Sequence, residues 1–273
     1  MKSGKSRGQF TTISKRILEI YDRYHRTEYI GMDPLITLRG FTDKSDLEIA
    51  GLVAALLSYG RVETIIRNCN DLFDRMDRRP AAFIRNTGFK TKVQIFKKFK
   101  HRFNTGTDIA LLLQAIADII KKFGSIECFF KHALRRSDTG MHGALTSFSE
   151  SVTTGIRNIS DHLTHGISFI IPSPRNGSAC KRLNMYLRWM VRPDDGIDRG
   201  VWKRIAPSEL IMPVDTHIAR ITRQMGITTR KTPDWRMAEE VTAYLRRIDP
   251  FDPVRFDFSL CREGMVAIRK DAA

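Results

Sequence analysis

Cysteine is scarce in this sequence, and the four thiols are not spaced for a metal site. They stand at positions 69, 128, 180 and 261. No two are close enough for a zinc knuckle, and no four follow the spacing of an iron–sulfur cluster. We therefore expect no metal and no other cofactor. We also expect a compartment that keeps thiols reduced, which favours the cytoplasm.

Long apolar runs are missing as well. No stretch of about 18 consecutive apolar residues occurs, so we expect no membrane span. The first residues, Met1–Gly8, are basic and polar. They lack the apolar core of a secretory signal, so we expect none. The sequence predicts neither a membrane protein nor a secreted one.

Acidic residues are in short supply relative to basic ones. The chain has 30 Asp and Glu against 46 Lys and Arg, which gives a formal net charge of +16. A surplus of this size indicates a polyanionic partner such as nucleic acid. The guanidinium group of arginine also suits two-pronged contacts with phosphate. The alternative is a basic surface that only keeps the protein soluble.

The alternation of apolar and polar residues that marks β-strands is absent, so we predict an all-α protein. Ser45 and Glu48 have the spacing of a capping box that opens a buried helix ending near Leu57. The apolar spacing over 90–103 predicts another helix, and 29–42 is predicted to be a loop.

The candidate chemistry lies in residues 171–226. A turn rich in Pro, Asn and Gly, 171–178, precedes a helix that starts near Lys181, with Ser178 as its predicted N-cap. Asp215 is the predicted N-cap of a second helix. We expect Lys181 and Asp215 to face each other across a cleft.

The predicted positions of Lys181 and Asp215 bear on what each side chain could do chemically. A lysine amine must be neutral to act as a nucleophile, and the first turn of a helix disfavours its positive charge. An N-cap carboxylate stays ionised and can stabilise positive charge that develops in a reaction. The alternatives are a phosphate-binding lysine without chemistry and an aspartate that only caps its helix.

The residues around this pair resemble two known families. Val214–Arg220, Val-Asp-Thr-His-Ile-Ala-Arg, resembles the catalytic-aspartate segment of helix-hairpin-helix DNA glycosylases of the endonuclease III superfamily. The turn before Lys181 resembles that superfamily's hairpin, and Lys181 after it resembles the superfamily's Schiff-base lysine. The spacing of Lys181 and Asp215 is closest to that of the archaeal 8-oxoguanine glycosylases. The usual Leu-Pro-Gly-Val-Gly hairpin is absent. Asp46–Gly51, Ala55–Arg61 and Lys181–Arg192 are similar to the bacterial DUF2400 family.

The glycosylase resemblance implies two helical lobes with a helix-hairpin-helix motif and a cleft between them. Residues 45–192 would form the lobe that carries the hairpin and Lys181. Residues 1–44 and 193–273 would form the lobe that carries Asp215. The implied activity is a bifunctional DNA glycosylase and AP lyase that excises an oxidised base such as 8-oxoguanine, with Lys181 attacking C1′ and Asp215 assisting.

Further site residues follow from the hairpin and from the resemblance. The hairpin offers side-chain and backbone donors to a phosphate, and the resemblance adds the start of the second helix. The expected DNA-binding residues are Arg175, Asn176, Gly177, Ser178, Arg182, His217 and Arg220. A glycosylase must also extrude its target nucleotide and hold the base. The expected base-pocket residues are Ser58, Tyr59, Arg61, Met185 and Asp257.

The expected partner is double-stranded DNA with a damaged base, bound by a monomer in the nucleoid of a bacterial cytoplasm. One rival reading is a non-catalytic nucleic-acid-binding protein that keeps the hairpin without chemistry. An RNA-binding or RNA-processing factor fits the charge equally well. Retention of both Lys181 and Asp215 favours the enzyme.

Overall fold

Helices dominate the fold, which confirms the predicted all-α class. The computed structural model describes residues 2–271, and no helix in that span is both long and apolar enough to cross a membrane. The α-helices are α1 Lys2–Tyr24, α2 Lys44–Leu56, α3 Val62–Arg75, α4 Pro80–Asn86, α5 Phe89–Phe96, α6 Gly106–Phe123, α7 Ile126–Arg135, α8 Met141–Arg157, α9 His165–Ile170, α10 Lys181–Val191, α11 Thr216–Gln224, α12 Trp235–Arg246 and α13 Asp257–Asp271.

Short elements connect these helices. The strands β1, Lys100–His101, and β2, Asn104–Thr105, pair in an antiparallel hairpin. The 3₁₀ helices are Thr27–Met32, Pro34–Gly40, Pro174–Asn176, Pro207–Glu209 and Pro253–Phe256.

Close packing of α2 against α10 fixes the position of Lys181. Almost every residue of α2 from Leu47 onward is buried, as its apolar sequence predicts. Gly51 allows the close approach, because a Cβ atom there would lie 2.8 Å from the Cε of Met190 on α10. Helix α10 is itself buried beyond its first turn, so it holds Lys181 at its amino-terminal end.

The buried apolar residues form two clusters, and the candidate site lies where they meet. The larger cluster contains most of α2, α6, α8 and α10. The smaller one joins α1, α11 and α12 with Phe256 and Leu260. Cys180 belongs to the larger cluster, whereas its neighbour Ala179 belongs to the smaller one together with Val214. The predicted division into lobes at residues 45 and 192 stays a prediction.

The predicted helix over 90–103 is wrong in its second half. Helix α5 stops at Phe96, and the β1–β2 hairpin follows. The hairpin register pairs His101 with Asn104, so Arg102 and Phe103 form the turn, and Arg102 adopts a φ of +52°. The Asn-Thr-Gly sequence that follows is a turn signal that outweighed the helical spacing of the phenylalanines.

Two further local predictions are also corrected. The cap of α2 is Asp43, which accepts hydrogen bonds from the backbone N–H groups of Ser45 and Asp46 at 2.9 and 3.0 Å. Glu48 therefore does not close a capping box. Its buried carboxylate instead accepts the backbone N–H of Glu127 at 3.3 Å, at the start of α7. The predicted loop over 29–42 consists mainly of 3₁₀ helix.

Candidate active site

Lys181 is the first residue of α10, and the backbone before it is unusual. Cys180 occupies the N-cap position with φ +47° and ψ +38°, a left-handed conformation that is uncommon for a residue other than glycine. The prediction that Ser178 is the N-cap is therefore wrong. The Ser178 hydroxyl instead accepts the backbone N–H of Cys180 at 3.1 Å, which stabilises the turn.

Asp215 caps α11 as predicted, and its two carboxylate oxygens have different partners. Oδ1 accepts the backbone N–H groups of His217 and Ile218, each at 2.9 Å. Oδ2 lies 4.0 Å from Nζ of Lys181. The side chains of Lys181 and Asp215 are 30% and 22% exposed, so solvent and a ligand can reach both. The distance confirms the expectation that the side chains of Lys181 and Asp215 face each other.

A pocket of about 320 Å³ opens around this pair. It is large enough for a small ligand group. Its lining comes from the turn before α10, from the start of α11 and from the loop before α12: Pro172, Ser178, Ala179, Cys180, Lys181, Arg182, Val214, Asp215, Thr216 and Pro233.

Cys261 is a neighbour of Asp215 that was not assigned to the site from sequence. Cys261 lies on α13, and its Sγ atom is 4.0 Å from Oδ2 of Asp215. Burial raises the pKa of the Cys261 thiol far above its usual value, and the nearby carboxylate of Asp215 adds to this effect. Cys261 therefore stays a neutral thiol beside the carboxylate.

Asp257 lies behind the pocket, in a buried ionic network. Its carboxylate accepts a short hydrogen bond from Arg188, which also binds Asp198 at 3.1 Å. Burial raises the pKa of Asp257 to about 6 against the opposing effect of Arg188, and repulsion from Asp215 contributes. Because Asp257 is 5% exposed and tied to Arg188, it lies apart from the pocket lining.

The same network continues away from the site and ties α10 to the carboxyl-terminal part of the chain. Arg192 binds Asp252 at 2.8 Å and Asp195 at 3.0 Å. Asp195 also contacts Nε2 of His25, just after α1, at 2.8 Å. Buried ion pairs of this kind cost desolvation and stabilise most when every member is paired. They fix α10, and therefore Lys181, relative to α1 and α13.

Arg182, which also lines the pocket, holds two backbone segments together. Its guanidinium donates to the carbonyl of Leu56 at 2.9 Å and to the carbonyl of Phe169 at 2.5 Å. The first of these carbonyls is at the end of α2, where helix carbonyls lack internal partners. Burial lowers the pKa of Arg182 to about 10, and the group remains charged at neutral pH. Its expected contact with DNA stays a prediction.

The exposed residues of the turn before α10 lie on the surface beside the pocket. Arg175 is 73% exposed and forms an ion pair with Glu150. Asn176 and Gly177 are exposed, and Gly177 has a φ of +76°, which its lack of a Cβ permits. The Gly177 carbonyl accepts the backbone N–H of Trp235 at 3.1 Å. This bond joins the turn to the start of α12.

The side chains of His217 and Arg220 pack toward α13 rather than lying free on the surface. Arg220 donates to the carbonyl of Gly264 at 2.5 Å. A Cβ atom on Gly264 would lie 3.2 Å from the Cβ of His217, so the two helices approach closely there. Both residues are half-buried. Only the exposed parts of these two side chains could contact a DNA backbone, and that contact stays a prediction.

The five expected base-pocket residues are not gathered in one place. Ser58, Tyr59 and Arg61 follow the end of α2, where the Ser58 hydroxyl donates to the Ala54 carbonyl at 2.7 Å. Met185 is buried in the larger apolar cluster. Together with Asp257, these residues are absent from the lining of the Lys181–Asp215 pocket.

A larger cavity of about 970 Å³ lies elsewhere, between α2, α4 and α6. It shares no lining residue with the Lys181–Asp215 pocket. The buried lysine next to it, Lys92, is tied to the side chain of Gln114 at 2.8 Å and to the carbonyl of Ile84 at 3.2 Å. Because that amine is already committed to two acceptors, the smaller pocket is the better candidate for chemistry.

The fold and the site together define an all-α protein in which a lysine and an aspartate meet at the starts of two helices. The family model DUF2400, described as a protein of unknown function, matches residues 33–266. The chain therefore belongs to this family, as its sequence indicates. Comparison with curated proteins and with solved structures returned no match.

Proposed function

We propose that this protein is a DNA glycosylase with AP lyase activity that excises an oxidised base. The observation that carries the proposal is the 4.0 Å separation between Nζ of Lys181 and Oδ2 of Asp215 in an open pocket. The net charge of +16 supports a nucleic-acid substrate. The resemblance of Val214–Arg220 to glycosylases supports the reaction class.

Lys181 is the nucleophile in this proposal. The separation of 4.0 Å is longer than a hydrogen bond, so the amine is not locked onto the carboxylate. The Nζ atom forms a bond to C1′ while the bond from C1′ to the base breaks. The base leaves with the electron pair and takes up a proton.

The covalent intermediate then resolves with water as the only further reactant. Nζ loses a proton, the bond from C1′ to the ring oxygen opens, and that oxygen is protonated to leave a Schiff base. Loss of a proton from C2′ expels the 3′ phosphate by β-elimination. Water finally releases Lys181. Each step needs a proton acceptor or donor close to Nζ and C1′, which Asp215 is placed to provide.

Asp215 also acts through its charge. The two N–H groups that bind Oδ1 hold the carboxylate in one orientation. Oδ2 then faces the place where positive charge develops on the sugar. A preorganised carboxylate of this kind stabilises a transition state without having to reorganise.

The proposed substrate is double-stranded DNA with one damaged base, 8-oxoguanine being the first to test. Arg175 and Asn176, exposed beside the pocket, are placed to contact the backbone on one side of the lesion. The protein would act as a monomer on DNA of the nucleoid in a bacterial cytoplasm.

A panel of duplexes, each with one lesion, tests this proposal. Wild-type protein should release the base and nick the strand on at least one duplex. Lys181→Gln should lose both activities, whereas Lys90→Gln, which removes the same charge from an exposed position on α5, should retain them. Binding to every duplex without base release would instead support the non-catalytic rival.

A further inference from the structure

A cluster of exposed aromatic rings adjoins the Lys181–Asp215 pocket. Phe103, in the turn of the β1–β2 hairpin, is 49% exposed, and Phe169 on α9 is 37% exposed. Their ring centroids are 5.3 Å apart. His165 and Tyr59 complete the group, which we name the aromatic platform. Large apolar rings left together in water favour contact with a ligand that would cover them.

The rings of the platform hold one another in place. The centroid of Phe169 lies 4.8 Å from that of Tyr59, in an edge-to-face contact. The hydroxyl of Tyr59 donates to the carbonyl of His101 at 3.0 Å and also bonds the side chain of Asn104. Both acceptors belong to the hairpin that presents Phe103. The platform is therefore organised before any ligand arrives, which lowers the entropic cost of binding.

Two arginines give the platform a positive charge. The guanidinium of Arg182 lies 4.8 Å from the ring of Phe169 and 5.2 Å from that of Tyr59. Arg102 lies 5.5 Å from the ring of Phe103. Arg102 also extends along Gly60, where a Cβ atom would lie 3.0 Å from its side chain. Flat aromatic faces combined with arginine are the usual means of binding unpaired bases without sequence preference.

The charge of the whole chain distinguishes between possible occupants. A second copy of the protein would bring another +16 to a surface that already carries Arg102 and Arg182. An anionic polymer with flat apolar groups matches both the rings and the charge. The platform also adjoins the candidate active site, because Arg182 contacts its rings and lines the pocket of Lys181.

We infer that the aromatic platform is a binding site for an unpaired nucleobase of DNA, held by stacking, and that this binding requires no damaged base. The inference goes beyond the proposed function, since stacking on Phe103 and Phe169 involves no chemistry at Lys181. The two proposals can therefore fail separately.

Binding of three undamaged DNA probes tests the inference. The probes are a thymidine single strand, a duplex with one unpaired thymidine and the same duplex fully paired, followed by fluorescence anisotropy. Wild-type protein should prefer the two probes with unpaired bases over the paired duplex. Phe103→Ala should weaken binding to those two probes by about five- to a hundred-fold, the range for loss of one stacked base, and leave the paired duplex within about two-fold.

Other variants separate stacking from folding and from general apolarity. Phe251→Ala is the matched control, because Phe251 is 83% exposed and is not one of the rings of the platform. It should bind all three probes like wild type. Phe103→Trp should keep the preference, whereas Phe103→Leu, which keeps the apolar bulk but not the flat ring, should lose it. Thermal unfolding confirms that each variant is folded.

Several outcomes would overturn the inference. Equal affinity of wild type for all three probes would remove it, and so would an equal loss on every probe in Phe103→Ala. Tighter binding of the corresponding RNA strand, abolished by Phe103→Ala, would replace DNA with RNA as the ligand. Base release measured separately on lesion duplexes keeps the proposals distinct: a preference for unpaired bases without any base release would leave the platform standing and the glycosylase rejected.

Discussion

The Oδ2 atom of Asp215 lies 4.0 Å from the Nζ atom of Lys181, although one residue starts α11 and the other starts α10. Oδ1 of the same carboxylate is already used by two backbone N–H groups of α11. The cap therefore fixes the orientation of the carboxylate, and the second oxygen is left to face the amine. The capping role of Oδ1 and the proposed chemical role of Oδ2 can therefore be tested separately.

Asp215→Asn should reduce base release strongly, by about a hundred-fold or more if the carboxylate stabilises a charged transition state. Its thermal stability should stay close to wild type, because asparagine also caps helices well. Asp215→Ala should lose the same activity and about 1 kcal/mol of stability besides. Single-turnover kinetics and thermal unfolding measure the two effects. Wild-type rates in Asp215→Asn would show that Asp215 is only a cap.

The contribution of Asp257 to the free energy of unfolding should fall as the pH rises from about 4 to about 6, because burial raises the pKa of this carboxyl from 3.8 to about 6. The folded state then binds a proton more tightly than the unfolded state, so the contribution is favourable at low pH and is lost above the folded pKa. A shift of this size corresponds to roughly 3 kcal/mol at most.

Urea unfolding of wild type and Asp257→Asn across this pH range isolates the contribution of Asp257. The two proteins share every other titrating group, so the difference in their unfolding free energies should decrease as the pH rises. Asparagine does not titrate and keeps an acceptor for Arg188. A difference that does not change with pH would show that Asp257 titrates equally in both states.

Arg182→Ala should destabilise the protein by roughly 3 kcal/mol, since it leaves the carbonyls of Leu56 and Phe169 without a charged donor. Arg175→Ala is the comparison, because the Arg175 side chain is 73% exposed. Its loss should change stability by less than about 0.5 kcal/mol. Chemical denaturation measures both, and equal effects would contradict the structural role given to Arg182.

DNA binding should weaken steeply with salt, because each neutralised phosphate contributes about −0.9 to the slope of log K against log salt concentration. The net charge of +16 leads us to expect several such contacts. If Arg175 contacts phosphate, Arg175→Ala should make the slope shallower by about one contact. Titrations of an undamaged duplex at several salt concentrations provide the slopes. Binding that is independent of salt would contradict a nucleic-acid function.

Local signals in the sequence were enough to predict the fold class and the helix starts at which Lys181 and Asp215 lie, whereas their pairing as a site came from the resemblance to glycosylases. The spacing of apolar residues predicted α2, α10 and α11, and the cap at Asp215 follows from its place before an amphipathic helix. Two cap assignments were wrong because a different residue occupies the N-cap position. Asp43 replaced Ser45 at α2, and the left-handed Cys180 replaced Ser178 at α10.

Features that depend on distant contacts could not be predicted. Asp257 was expected in a base pocket, but Arg188 on α10 binds its carboxylate. The aromatic platform depends on the hairpin turn that brings Phe103 against Phe169 on α9. Periodicity alone assigned Phe103 to a helix. Its neighbouring Asn-Thr-Gly sequence is the signal that indicated a turn there.

Borohydride trapping tests the central claim most directly. If Lys181 forms a Schiff base with the abasic sugar, borohydride will reduce that intermediate to a stable covalent adduct between protein and DNA. We predict an adduct with a lesion-containing duplex for wild type and for Lys90→Gln, and none for Lys181→Gln, although that variant still binds the duplex. Peptide mapping should place the adduct on Lys181. An adduct that persists in Lys181→Gln, or one mapped to another amine, would contradict the assignment of Lys181 as the nucleophile.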